Sequence, residues 1–246
     1  MPGAPSPVRL ACGLVTTPAA VLFDLDGTLI DSEGLWWQAE CRTVDAWGGT
    51  WTHEDQAHCL GGPLERVTEY MAVRTGSPLS PEAIGESLLS TMEALLRAGD
   101  LQWRPGARQL LIQCRAQGVP TALVSASHRR LLDAVADAVA HAPDMPRPAF
   151  DVTVAGDEVN QGKPHPEPYT EAARRLGVDI ASCVVIEDSP TGVASGQASG
   201  AFVVAVPHIV EIPPEPRRVV IPTLEGVTVA RLGAWVAPDG ADSLAG

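Results

Sequence analysis

The sequence predicts an α/β protein: a doubly wound parallel sheet with an α-helical insertion after the first strand. Three observations carry that prediction. Short runs that are apolar at nearly every position recur along the chain and end in polar residues, as strands covered on both faces do. From residue 105 onward, amphipathic helical stretches lie between those runs, and strand alternating with helix builds a parallel sheet. Residues 34–104 break the rhythm, with helical spacing and no clear strand.

The elements follow in chain order. Residues 1–18 are rich in Pro, Ala and Gly and read as a disordered leader; the apolar patch Leu10 to Val15 is cut off by Thr16, Thr17 and Pro18, too short for a signal peptide. Ala19 to Phe23 is the first strand and ends at Asp24. Within the insertion, Val67, Tyr70 and Met71 share one helical face, and Leu88, Leu89, Met92, Leu95 and Leu96 another. Five of the six tryptophans also fall there, and four of them (Trp36, Trp37, Trp47, Trp51) read as the insertion's own core, with Trp36 or Trp37 turned to the cleft.

Pro105 opens a helix in which Ala107, Leu110, Leu111 and Cys114 repeat at helical spacing until Gly118 closes it. Val119 to Val124 is a strand ending at Ser125, and Leu131, Leu132, Val135 and Val139 mark the next helix. Phe150 to Val154 leads to Gly156-Asp157. Tyr169, Ala172, Ala173 and Leu176 precede Gly177, and Cys183 to Ile186 ends at Glu187-Asp188. Gly192, Gly196 and Gly200 form a small-residue stripe suited to close helix–sheet packing. Ala201 to Val206 is the last clear strand, and the Pro-rich tail beyond 209 holds one or two short elements. The expected division is a leader at 1–18, a core at 19–33 and 105–246, and a cap at 34–104.

With 246 residues and 45% hydrophobic content, the chain can bury a full core. A net charge of −13 argues against nucleic acid or an anionic membrane as partner. No apolar stretch approaches the roughly 20 residues that span a bilayer. Five scattered cysteines without a CxxC fit reduced thiols and a cytoplasmic protein, and the set His53, His58, Cys41 and Cys59 matches no common zinc spacing. A monomer or weak homo-oligomer is expected.

Ligands of such sheets bind beyond the carboxyl ends of the strands. Asp24, Ser125 and Glu187-Asp188 fall at those ends, with Lys163 in a loop between strands. Asp24 and Asp26, one residue apart before Gly27, place two carboxylates together, which calls for a cation or a shared proton. The chain also has sixteen arginines and a single lysine. A lone Lys in such a composition marks a place where a compact point charge is wanted and a guanidinium fork does not fit.

Together these groups point to phosphate chemistry. Asp24 is the candidate nucleophile, and Asp26 the candidate general acid, then base. Ser125 and Lys163 are placed to meet phosphoryl oxygens. Mg²⁺ prefers oxygen ligands, which Asp24, the Asp26 backbone carbonyl and Asp188 offer, with Glu187 as a further ligand or as their support. Ala126, Ser127, His128 and Arg129, just past Ser125, are candidates for contact with substrate.

Four motifs appear in order: Asp24-Leu25-Asp26-Gly27-Thr28-Leu29, Val124-Ser125, Gly162-Lys163-Pro164 and Val185-Ile186-Glu187-Asp188-Ser189. On them, residues 19–207 resemble the haloacid dehalogenase-like hydrolases, in the branch of helical-cap phosphatases and phosphoglucomutases. The resemblance implies a Rossmann-like core, a helical cap, Mg²⁺ and an aspartyl-phosphate intermediate. An aspartate at position 26 implies phosphoryl transfer rather than dehalogenation. It also implies that Glu33 to Trp37 and the cap loop choose the substrate, with Glu33, Trp36, Gly61 and Arg66 as contacts.

Mutases of the family carry Lys and Arg around a glycine-containing cap loop and a polar His in the first cap helix. The matching stretch, Leu60 to Arg66, has no Lys, adds Glu65 and leaves Arg66 alone, and Trp36 stands at the His position. The expectation is a Mg²⁺-dependent phosphatase acting on a small phosphorylated metabolite of the sugar phosphate class. A phosphomutase, a phospho-accepting signalling domain and a non-catalytic binding relative are the alternatives.

Overall fold

A computed structural model of the chain describes residues 17–59, 63–98 and 101–237. Most of the expected leader (1–16) and Gly61 of the cap loop lie outside the described residues. The strands are β1 (Val21–Phe23), β2 (Thr121–Val124), β3 (Val152–Val154), β4 (Val184–Glu187), β5 (Phe202–Ala205) and β6 (Arg218–Val220). They form one parallel sheet in the order β3-β2-β1-β4-β5-β6. The order reverses at β1, the place where an open α/β sheet leaves a crevice at its carboxyl edge.

The strands read as apolar throughout because the sheet is covered on both faces. Val21 and Phe23 of β1, Leu123 of β2, Val184 and Ile186 of β4 and Phe202 and Val204 of β5 pack into one buried cluster. Their neighbours Leu22, Ala122, Val124, Val185, Val203 and Ala205 pack into the other. Helices α5 (Ala107–Ala116), α6 (Arg129–His141) and α9 (Val229–Val236) supply the first face. Helices α7 (Glu167–Leu176) and α8 (Pro190–Ala198) supply the second. β6 and α9 are the short elements of the Pro-rich tail.

Between β1 and α5 come α1 (Glu33–Asp45), α2 (His53–Cys59), α3 (Leu64–Thr75) and α4 (Pro81–Arg97). Ser80 caps α4 by accepting from the Ala83 amide, with Pro81 in the first turn. The two chain crossings into this insertion lie side by side: Ile30 and Trp103 form an antiparallel bridge, and the Asp31 amide donates to the Gln102 carbonyl at 2.7 Å. α4 also rests on α6, where Arg130 donates to Glu86 (2.6 Å), Ser90 (2.7 Å) and Glu93 (3.2 Å).

Of the insertion's tryptophans, Trp51 is buried, Trp36, Trp37 and Trp47 pack partly buried against the same cluster as one face of the sheet, and Trp51 brings an acid with it. Trp51 Nε1 donates to Glu40 Oε2 at 2.9 Å, and Glu40 is only 5% exposed. Burial raises the Glu40 pKa, and the indole bond offsets part of that rise. A carboxyl whose folded pKa is raised binds its proton more tightly when folded, so the fold loses stability as pH climbs past the unfolded value. Glu40→Gln keeps the acceptor for Trp51 and removes the charge. Its unfolding temperature should match wild type at pH 4 and exceed it by a few degrees at pH 8, read by circular dichroism. A variant that is less stable at pH 8 would contradict the burial account of Glu40.

The glycine stripe divides in its roles. A Cβ on Gly196 would meet Val185 and Val203 at 3.0 and 3.1 Å, which is close packing on the sheet. On Gly192 it would strike the Glu187 carboxylate at 1.7 Å, so that glycine accommodates a functional side chain and not the apolar sheet. Gly200 ends α8 at a positive φ of 87°.

Candidate active site

Register assembles the site. Phe23 of β1 lies opposite both Leu123 of β2 and Ile186 of β4. The following residues therefore leave the sheet side by side: Asp24, then Ser125 after Val124, and Glu187-Asp188. Lys163 reaches the same point from the loop between β3 and α7. Its Nζ donates to Asp24 Oδ1 (2.6 Å), Glu187 Oε1 (2.7 Å) and the Val124 carbonyl (3.1 Å). An ammonium has three protons, and all three are used. The single lysine of the chain is thus buried at 6% exposure between two carboxylates.

The turn after Asp24 folds back tightly. Gly27 has φ +84°, a region open to glycine at little cost, and a Cβ there would sit 2.2 Å from Asp188 Oδ2. Thr28 Oγ1 donates to Asp188 Oδ1 at 3.2 Å. Asp26 is held by hydroxyls: Ser32 donates to Oδ1 (2.5 Å), and Ser127 (3.1 Å) and Ser125 (3.4 Å) donate to Oδ2. The Ser127 amide in turn donates to Ser125 Oγ at 3.0 Å. Ala126, between them, is exposed.

Glu187 is fully buried and saturated. Oε1 accepts from Lys163 and from the Tyr169 hydroxyl (2.8 Å). Oε2 accepts from the Asp188 amide (3.1 Å), the Ser189 amide (3.3 Å) and Ser189 Oγ (3.1 Å). Ser189 Oγ also caps α8 by accepting from the Gly192 amide.

The electrostatics are those of a site short of positive charge. Burial, then Glu187, push the Asp24 carboxyl well up, against the pull of Lys163. Burial, then Glu187, push Asp188 up to about 7. Burial alone would depress Lys163, but Asp24 and Glu187 outweigh it and hold the ammonium above its usual range. Burial, then Glu187 and Asp24, hold the Tyr169 hydroxyl far up, so it remains a donor. One lysine thus faces three carboxylates. Ligand oxygens of Asp24, Glu187 and Asp188 lie within 4.8 Å of one another, and an all-oxygen set suits a hard divalent cation. This is the candidate metal group among the described residues; His53, His58, Cys41 and Cys59 form none.

The insertion contributes less regularly. Glu33 begins α1 directly after Ser32, and its Oε1 is buried with no hydrogen-bond partner among the described residues. Trp36 is half-buried against the apolar cluster, and the Trp37 ring stacks on His53 with centroids 4.0 Å apart. Arg66 donates to the His58 and Cys59 carbonyls at the end of α2, so its guanidinium is engaged beside the cap loop. Arg129 is turned to Thr153, Asp133 and Glu158.

Several side chains at the site had no role assigned by sequence. Thr28 and Ser32 lie inside the tight turn, and their hydroxyls on Asp188 and Asp26 follow from its geometry. His208 follows β5; its Nδ1 would be 3.3 Å from a Cβ on Gly27, so it flanks the same turn. Tyr169 occupies a core position of α7, and its one sequence signal is a polar tip on an otherwise apolar face.

A family model described as haloacid dehalogenase-like hydrolase matches residues 18–200. Hexitol phosphatase B of Escherichia coli (strain K12) is 30% identical over 191 residues, covering 76% of this chain and 83% of the relative. The bifunctional riboflavin kinase/FMN phosphatase of Arabidopsis thaliana is 32% identical over 192 residues; the match takes in 78% of this chain and 49% of that longer protein. Among solved structures, CbbY from Rhodobacter sphaeroides in complex with phosphate superposes with a TM-score of 0.74 at 27% identity, covering 87% of this chain and 99% of CbbY. A mutant of the same protein was solved with xylulose-(1,5)bisphosphate, at a TM-score of 0.73. Among the described residues, no helix is long and apolar enough to cross a membrane.

Proposed function

The chain belongs to the haloacid dehalogenase-like hydrolases, and on that premise we propose that it is a Mg²⁺-dependent phosphatase of small phosphorylated metabolites, sugar phosphates foremost. The observation that carries the proposal is Asp24 held 2.6 Å from the only lysine, with Asp26 fastened by three hydroxyls two residues away. Asp24 attacks phosphorus, and Asp26 protonates the departing oxygen of the substrate. The aspartyl-phosphate on Asp24 is then cleaved by water, from which Asp26 takes a proton. Lys163 sets its positive charge beside the phosphoryl oxygens, and the Ser125 hydroxyl, only 3.4 Å from Asp26, can turn to donate to them.

Asp24, Asp188 and the Asp26 carbonyl would hold Mg²⁺, which supplies charge to offset that on the transferring group. Glu187 supports them instead: its oxygens already accept five hydrogen bonds. The α1–α4 insertion is the cap of this reading, with Glu33 Oε1 awaiting a hydroxyl donor of a polyol or sugar. Arg66, turned to backbone carbonyls, supports hydrolysis over mutase chemistry, which needs cations free for a second phosphate.

The test is phosphate release from a panel of hexose, pentose, hexitol and flavin phosphates, with Mg²⁺, Ca²⁺ or chelator. Hydrolysis should need Mg²⁺, stop in excess chelator, return on Mg²⁺ addition and be inhibited by Ca²⁺, whose larger, looser shell takes more of the carboxylate oxygens. No hexose 1-phosphate should isomerise to the 6-phosphate, even with added bisphosphate. Full activity in chelator, or isomerisation outpacing phosphate release, would contradict the proposal.

A further inference from the structure

Tyr169 lies outside every motif that identifies the site, yet it touches two of its charged groups. It is fully buried. Its hydroxyl donates to Glu187 Oε1 at 2.8 Å, the same oxygen that accepts from Lys163 at 2.7 Å. Its ring lies under the ammonium, with Lys163 Nζ 4.9 Å from the centroid, within cation–π range. One residue therefore contacts the lysine through its face and the lysine's counter-ion through its tip.

We propose that Tyr169 is a positioning residue that sets Lys163 against Asp24 by sharing Glu187 Oε1 with it. The inference rests on the phosphatase reading for its kinetic consequence alone. Glu187 Oε1 carries negative charge that two donors now satisfy. Without the hydroxyl, Lys163 is the single donor left to that oxygen, and it is drawn toward Glu187 and away from Asp24. The lysine's place between the two carboxylates has little slack, because its three protons are all engaged. A shift of this kind weakens support for the charge that develops during transfer, more than it weakens ground-state binding of the phosphate, to which the Ser125 hydroxyl also contributes. The aromatic face below prevents escape in the other direction. A serine or threonine at position 169 could not do both tasks.

Because the chain has one lysine, an untagged sample grown with lysine labelled at Cε yields one lysine side-chain NMR signal, and that signal is Lys163. In wild type, the ring current of Tyr169 should displace it from the position of free lysine. Tyr169→Phe keeps the ring and lacks the donor; Tyr169→Leu lacks both. Tyr169→Phe should lower kcat about tenfold with KM within about twofold and move the signal modestly. Tyr169→Leu should return the signal close to the free-lysine position. Wild-type kcat in Tyr169→Phe, whatever its unfolding temperature, would overturn the proposal, since a merely structural bond lowers stability alone. A wild-type signal already at the free-lysine position would overturn it without any variant. Absence of phosphate release by wild type from the whole panel would instead remove the phosphatase reading, and the lysine signal would still test the placement.

Discussion

Asp24→Asn should be folded and devoid of turnover, with kcat lowered by about 10³-fold or more, because an amide cannot form the acyl-phosphate. Its stability should move the other way. Asp24 is 6% exposed, and burial and Glu187 push its carboxyl well up. The folded chain therefore holds a proton on Asp24 more tightly than the unfolded chain does, and above the unfolded pKa it loses stability as pH rises. Asparagine is neutral at all pH values. In metal-free buffer at pH 8, Asp24→Asn should unfold at or above the wild-type temperature. Measurable turnover in protein free of wild type would remove Asp24 as nucleophile. A large drop in unfolding temperature would mean the attraction of Lys163 outweighs burial at this carboxylate.

Lys163→Arg should be the most damaging exchange that keeps the charge, lowering kcat/KM by about 10²–10³-fold, the scale of losing one donor to a developing anion. Nζ meets three acceptors in three directions, at 2.6, 2.7 and 3.1 Å. A planar guanidinium carries its donors in one plane and is bulkier. In a space closed by Asp24, Glu187, the Val124 carbonyl and the Tyr169 ring, it must displace Asp24 or the phosphate. Overpacking of this kind also costs stability, about 1–3 kcal/mol. Kinetics close to wild type would mean that only the positive charge at this place matters. The composition argument, that one lysine among arginines marks a fork-excluding site, would fail with it.

The parts of the fold and site that were legible in the sequence share a physical cause. Strands covered on both faces leave an uninterrupted apolar signature, and Val21 to Phe23, Thr121 to Val124 and Val184 to Ile186 carry it. Parallel register then aligns their ends, so Asp24, Ser125 and Glu187-Asp188 could be read as neighbours from strand ends alone. β6 was legible only as a short element of the tail, because its three residues are half-buried at the sheet edge and the apolar run Val219-Val220-Ile221 is brief. The hydroxyls of Thr28 and Ser32 were hidden because their targets depend on how the turn at Gly27 closes. Tyr169 was read as core, which it is, but periodicity reports a buried face and says nothing of what the tip of a side chain meets. In the insertion, long side chains reach their partners by tertiary packing: Arg66 turns to the carbonyls ending α2, a contact without any pattern in sequence spacing.

Covalent capture of the phosphorylated residue tests the central claim, attack by Asp24, most directly. Asp26→Asn with an aryl phosphate suits it, because a good leaving group needs little proton donation while hydrolysis of the intermediate loses its base. A burst of the aryl alcohol, about one per enzyme, should precede slow turnover. Borohydride added to the acid-quenched mixture should convert residue 24 to homoserine, found by peptide mass spectrometry and absent without substrate. Phosphate release with residue 24 unmodified throughout the burst, or reduction at any other residue, would contradict the account.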